Sequence, residues 1–477
     1  MWDLAISISG DRRRRLARFL AACLLGGGLV PGAHADGELA QYVAKPDSSY
    51  SWREVGAGRV DGGDHVEAIL TSQTWRDIPW KHQLFVFRPA KVDGSRQALL
   101  FIDGGRWKPE YESTEPGELP RHARIFTRLA ASIRAPVAVV RQVPFQPLWE
   151  RKEDQLIAYT FDSYLRTGDP EWPLLLPMAK SAARAMDAVQ ELTRQRWQIP
   201  IERFTVTGAS KRGWTSWLTA AVDPRVASLA PMVIDMLNMP AQVELQRDTF
   251  GELSEQIQDY SNIGLPGRID SDLGRKLVDI VDPYSYRGEL PQPKLIVLGT
   301  NDRYWPLDAL KLYWNDLREP KRVLYVPNQG HALKDIDRVV GGLSALFRYS
   351  ARGQPMPELS WSWSTPKADR LELAVQPDRR PRRLLAWRAN SPTRDFREAR
   401  WSQQRCERSK SGFRCAQPLA ADHYSALYAE ATFKDRGEAS FSLSTAVCIA
   451  GGPEADPADC LVSQAPPQRT ASGQAGH

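Results

Sequence analysis

Residues 204–226 read FTVTGASKRGWTSWLTAAVDPRV, and three kinds of local structure follow one another inside them. Phe204 and Val206, with their neighbours, have the pattern of a short buried strand. Gly208-Ala209-Ser210-Lys211-Arg212-Gly213 is a tight turn. Trp214–Val222 has the composition of a helix, and Asp223-Pro224 stops it, because proline cannot continue one. Small residues flanking a serine at such a bend let the backbone turn steeply and lift the hydroxyl clear of the sheet, the layout of a nucleophile elbow. The usual spacing is G-x-S-x-G. Here Arg212 stands two residues after the serine, and the glycine arrives one later at Gly213. The plainer alternative is a strand-to-helix turn whose serine caps the helix.

A nucleophilic serine needs a histidine to take its proton and an acid to orient that histidine. Two later segments supply both. PKLIVLGT, residues 293–300, is an apolar strand followed by Asn301-Asp302. RVLYV, residues 322–326, is a second one, followed by Pro327-Asn328-Gln329-Gly330-His331. Ser210, Asp302 and His331 each follow a strand and keep the chain order of α/β-hydrolases. Open α/β sheets place their sites beyond the carboxyl ends of the strands. Asp235, after the apolar run Ala230–Ile234, is an alternative acid.

Around these motifs the chain alternates strands with helices. Strands are expected near Ser51–Val55, Val66–Leu70 and Leu84–Phe87, with a hairpin turn in the glycines at 56–58 and 62–63. A buried strand, Ala98–Ile102, leads into Asp103-Gly104-Gly105. Helices are expected over Arg121–Ile133, Glu153–Leu165 and Leu174–Arg194. The fold class is therefore α/β: a doubly wound, mostly parallel sheet. Residues 236–289 have little strand character and read as a cap over the site, with helices near Ser254–Tyr260 and Gly274–Val281. Asp335 begins the last helix. Beyond Gly353-Gln354-Pro355 the pattern changes to short alternating strands, so residues 36–353 form the hydrolase domain and 356–464 a small immunoglobulin-like β-sandwich domain. Residues 465–477 are polar and expected to be disordered.

The stretches YVAKPDSSYSW, LTSQTW, ALLFIDGG, EDQLIAYTFDSYLRTGDPEWPLLLPM, TGASKRGWTSWLTAAVDPRV, PMVIDMLNMP, DPYSYRGELPQPKLIVLGTND and YVPNQGHAL resemble the PhoPQ-activated pathogenicity-related protein family, a branch of the α/β-hydrolases. The resemblance runs from about Tyr42 to about Phe433. It implies the hydrolase fold and a link to envelope stress and virulence. It leaves the substrate open, so activity has to be argued from the site.

The N-terminal 35 residues look like an export signal peptide. Arg12–Arg15 are basic, Leu16–Val30 are mostly apolar, and Ala33-His34-Ala35 is a small-x-small cleavage site. Leu20-Ala21-Ala22-Cys23 has the form of a lipoprotein site, but too short an apolar stretch precedes it. Twin-arginine export fits poorly. No other stretch is apolar and long enough to span a bilayer. The formal charge is +6 over 477 residues, and the signal carries five Arg and two Asp, which leaves +3. So mild an excess is no argument for nucleic acid. Cys406, Cys415, Cys448 and Cys460 allow three pairings, and the short spacings suggest Cys406–Cys415 and Cys448–Cys460. Neither spacing is the C-x2-C of a zinc site. No H-E-x-x-H and no P-loop occurs, so neither metal nor cofactor is implied.

The expected activity is that of an exported, periplasmic or secreted serine hydrolase acting on a small-molecule, carbohydrate-ester or peptide substrate. Esters are favoured over peptides, although the geometry serves both. Ser210 is the nucleophile, His331 the general base and acid, and Asp302 the orienting acid. The amide of Lys211 and that of Gly104 or Gly105 form the oxyanion hole. Trp107, Trp214 and Trp305 lie near these elements and are either pocket walls or core. A cation beside the serine, in Ser210-Lys211-Arg212-Gly213, suits a carboxylate or carbohydrate ester and resembles the S-R-x-G turn of glucuronoyl esterases. The competing class is a non-catalytic envelope-binding protein on a hydrolase scaffold.

Overall fold

The computed structural model describes residues 37–113, 119, 123–367, 369–419, 421–435, 439–452 and 460–461. The expected signal peptide and C-terminal tail lie outside these residues. After a short helix, Glu38–Ala44, come three strands, β1 (Ser51–Val60), β2 (Gly63–Trp75) and β3 (Ile78–Pro89). They form an antiparallel meander, longer than the sequence suggests. Its first turn sits at Asp61-Gly62. The glycines at 56–58 lie within β1, next to a bulge, and not in a turn.

The sheet continues with β4 (Gln97–Ile102), β5 (Val137–Val140), β6 (Arg203–Ala209), β7 (Val226–Met232), β8 (Lys294–Gly299) and β9 (Lys321–Val326). Their spatial order is β1-β2-β3-β5-β4-β6-β7-β8-β9, and every pairing from β5 to β9 is parallel. Every residue of β5, β7, β8 and β9 is buried, as befits strands covered on both faces. Helices Ala123–Ile133, Leu175–Trp197, Lys211–Val222 and Ile336–Ala351 supply the cover, with Asp335 capping the last through the Arg338 amide. This is the α/β-hydrolase fold.

Between β7 and β8 the chain is helical: Met239–Phe250, Gln258–Asn262, Leu265–Arg268 and Asp272–Val281. Met239–Phe250 and Leu265–Arg268 have no counterpart in the sequence expectation. Helix Asp272–Val281 starts at Ser271, whose hydroxyl accepts from the Gly274 amide, and it buries Leu277, Ile280 and Val281.

Past Gly353 come β10 (Leu359–Lys367), β11 (Arg370–Pro377), β12 (Arg383–Ser391), β13 (Ser402–Arg405), β14 (Glu407–Ser409), β15 (Gly412–Pro418), β16 (Tyr424–Lys434), β17 (Ser440–Ser444) and β18 (Cys448–Gly451). One layer is the sheet β10-β11-β15-β14. The other, built on β12, β16 and β17, is not a separate sheet. β17 pairs with β9 at Ser444↔Val323, and the Tyr325 amide donates to Ser444 Oγ at 3.0 Å. The C-terminal strands thus cover the edge that β9 would otherwise leave open. Cys406–Cys415 and Cys448–Cys460 are both formed, as the spacings suggest. No helix among the described residues is long and apolar enough to cross a membrane.

Candidate active site

Ser210 sits at the end of β6 with φ 59° and ψ −129°, a backbone conformation that side-chain-bearing residues rarely adopt. The turn closes because its glycines are bare. A Cβ on Gly208 would lie 2.7 Å from the Arg212 carbonyl oxygen, and one on Gly213 would lie 2.9 Å from the Gly208 carbonyl oxygen. The glycine one place late is therefore the contact that lets the helix pack over the strand end. Arg212, in the usual glycine position, turns its side chain away from the pocket.

Helix Lys211–Val222 starts immediately after the serine, and the first amides of a helix have no intrahelical acceptor. Ser210, Lys211 and His331 line one pocket. His331 Nδ1 stands 2.9 and 3.1 Å from the two Asp302 carboxylate oxygens. Asp302 also accepts from the Tyr304 amide at 3.0 Å, and the Tyr304 ring stacks on the imidazole with centroids 4.1 Å apart. His331 Nε2 is buried and makes no hydrogen bond among the described residues.

Asp235 does not meet the histidine. It is buried at the end of its loop and accepts from the Tyr313 hydroxyl at 2.5 Å. Burial pushes its carboxyl up to about 7, opposed by the Tyr313 hydrogen bond and helped by the nearby Asp302 charge.

The cations after the serine are both neutralised, which corrects the expectation of a free positive charge for substrate. Arg212 donates to both Glu153 oxygens at 2.8 Å and to the Val143 carbonyl at 2.6 Å. Lys211 Nζ is buried between Glu153 at 2.9 Å and Asp154 at 3.1 Å. Burial alone would raise the Glu153 carboxyl, but the Arg212 hydrogen bonds and the charges of Arg212 and Lys211 hold it well below the usual carboxylate range. Asp154 also accepts from the Tyr260 hydroxyl at 2.9 Å, joining the helical insertion to the elbow.

The three tryptophans part company. Trp214 and Trp305 line the pocket. Trp214 is buried as well, with its indole N–H donating to the Val281 carbonyl at 2.5 Å. Trp107 packs on Tyr111 and Phe145, outside the pocket lining. Gly104 lies against the Arg212 guanidinium and Gly105 beside Arg141, and neither lines the pocket. Most of the remaining wall is apolar and comes from the insertion: Met236, Met239, Val243, Ile257, Leu265 and Ile269. Sequence reasoning missed Glu153, Asp154 and Tyr304. The available signals were an acidic pair opening a helix and a tyrosine two residues past the acid.

The PhoPQ-activated pathogenicity-related protein family matches residues 39–397. That is most of the chain. The chain belongs to this family. The Autocrine proliferation repressor protein A of Dictyostelium discoideum is 32% identical over 342 residues, which are 68% of this family member and 67% of that protein. Among solved structures, acetyl xylan esterase 1 from Thermoanaerobacterium sp. JW/SL YS485 aligns at 15% identity and TM-score 0.44, covering 65% of this chain and 93% of that one. An acetyl xylan esterase from Paenibacillus sp. R4 aligns at 14% identity and TM-score 0.46, covering 64% and 92%.

Proposed function

We propose that this family member is an exported serine hydrolase that cleaves carboxylic esters with a short acyl group. One observation carries the reading: a strained Ser210 shares a pocket with a histidine that is held by a carboxylate at Nδ1 and unpartnered at Nε2. In the reaction, Nε2 takes the Ser210 proton as the oxygen attacks the acyl carbon, then returns a proton to the leaving alcohol. Asp302 keeps the Nδ1 proton in place and offsets the charge of the imidazolium. The Lys211 amide, at the free N-terminus of its helix, faces the developing oxyanion. Water then repeats the cycle on the acyl-enzyme.

Ester cleavage is favoured over peptide cleavage by the character of the pocket. Its volume is about 80 Å3. A cavity of roughly 150 Å3 holds benzene, so this one suits an acyl group of a few carbons. Lys211 is spent on Glu153 and Asp154, and among the described residues that line the pocket no other cation stands ready to hold a peptide carboxylate. Export is supported by the signal-like N-terminus and by two disulfides, which persist in oxidising compartments.

The test is covalent labelling with a fluorophosphonate probe. The wild-type protein should label and turn over an aryl acetate, and Ser210→Ala should do neither. Equal labelling of the two proteins would remove Ser210 as nucleophile.

A further inference from the structure

The loop carrying Asp302 and the loop carrying His331 are not held by the hydrolase sheet alone. Asn301 Nδ2 reaches three carbonyl oxygens of the C-terminal β region: Phe396 at 3.3 Å, Arg397 at 3.2 Å and Ala399 at 2.7 Å. Asn328, three residues before the histidine, makes a two-way pair with Trp401. Its Nδ2 donates to the Trp401 carbonyl at 3.0 Å, and its Oδ1 accepts from the Trp401 amide at 2.8 Å. The two loops are also tied to each other. The Asn328 backbone amide donates to Thr300 Oγ1 at 2.9 Å, the Thr300 hydroxyl donates to Asn301 Oδ1 at 2.8 Å, and the Asn301 backbone amide donates to the Gln329 carbonyl at 2.9 Å. Every polar atom of the Asn301 side chain is therefore used, and all its donor capacity goes to one segment between β12 and β13. The same segment grips the helical insertion. Arg397 pairs with Glu255 at 2.8 Å and lies 4.0 Å over the Phe250 ring.

We infer that Asn301 is a positioning residue, and that segment 396–401 of the C-terminal β region holds Asp302 in register with His331. The inference rests on the triad reading above. A bare side-chain amide aimed at three carbonyls fixes both the height and the rotation of its loop, and Asp302 is the next residue. An orienting carboxylate is effective only within a few tenths of an ångström of its imidazole. The C-terminal region is thus part of the active site without touching substrate.

The test compares Asn301→Ala and Asn328→Ser with Gln417→Ala. Gln417 makes a part-buried hydrogen bond to Asn390 at 2.8 Å in the same β region and takes no part in the bonds of Asn301 or Asn328, so it reports a general loss of stability. Asn301→Ala should lower kcat on an aryl acetate at least tenfold with KM within twofold. It should slow fluorophosphonate labelling in parallel, and it should remove the far-downfield proton resonance of an imidazole N–H held by a carboxylate. Asn328→Ser should do the same to a smaller degree, while Gln417→Ala keeps wild-type kcat and the resonance. Folded Asn301 and Asn328 variants with wild-type kcat and resonance would overturn the inference. So would failure of both to fold, since the segment would then serve folding and not registration. Loss of labelling in Ser210→Ala is scored separately: if that variant labels like wild type, the triad reading is what fails.

Discussion

Replacing Asp302 by asparagine is the sharpest probe of this site, because the two candidate acids occupy different surroundings. Asp302 presents both oxygens to His331 Nδ1, at 2.9 and 3.1 Å. In Asp302→Asn one of those positions becomes an NH2 donor facing a nitrogen that has to donate. The imidazole escapes the clash by moving its proton to Nε2, and Nε2 then cannot accept the Ser210 proton. The remaining Asn oxygen can still accept from the Tyr304 amide, so the loop keeps its shape and the protein stays folded. The expected loss in kcat is on the order of 10⁴, the size of the same change in a worked serine protease, or about 5 kcal/mol of transition-state stabilisation. Asp235→Asn leaves the histidine alone, because Asp235 binds Tyr313, and kcat should stay within a few-fold of wild type. The assay is initial-rate hydrolysis of an aryl acetate near neutral pH, with thermal melting to confirm folding. If Asp302→Asn turns over normally and Asp235→Asn is dead, the assignment of the orienting acid is wrong.

Two further outcomes follow from the buried groups. The Asp235 carboxyl is pushed up to about 7 in the folded protein, so its contribution to stability is present in full below the ordinary carboxylate value near 4 and is lost as pH rises through 7. At about 1.4 kcal/mol per tenfold the ceiling is roughly 4 kcal/mol. Asp235→Asn should therefore gain on wild type in melting temperature between pH 5 and pH 8, and parallel curves would contradict the burial argument. In the pocket, Met239→Ala should open room for a longer acyl chain. Each buried CH2 contributes about 0.8 kcal/mol, so the ratio of kcat/KM for an aryl butyrate over an aryl acetate should rise by up to roughly tenfold. An unchanged ratio would place the acyl group elsewhere.

The sequence alone made legible the strand, tight turn and helix around Ser210, the placing of Asp302 and of His331 each just after its own apolar strand, the alternation of strands and helices, and the short spacings that suggested the cysteine pairs. Each of these depends on residues close together in the chain. Gly208 and Gly213 set the turn, uniform apolar runs set the buried strands, and Cys406 and Cys415 stand nine residues apart. Tertiary structure decided the rest. Asp235 and Asp302 both follow buried strands, and only the packing of neighbouring loops brings one to His331 and the other to Tyr313. Lys211 and Arg212 look like free cations until Glu153, 59 residues from Arg212, is folded against them. Trp107 is near the site in sequence and packs away from it. The break at Gly353 is plain in composition, yet β17 joins β9 across it at Ser444↔Val323, where an open sheet edge meets a C-terminal strand and the Tyr325 amide finds its acceptor in Ser444 Oγ. Periodicity and turn chemistry act over a few residues and are written in order along the chain. Charge neutralisation, pocket lining and edge pairing act through space, between residues whose separation in sequence carries no trace of their contact.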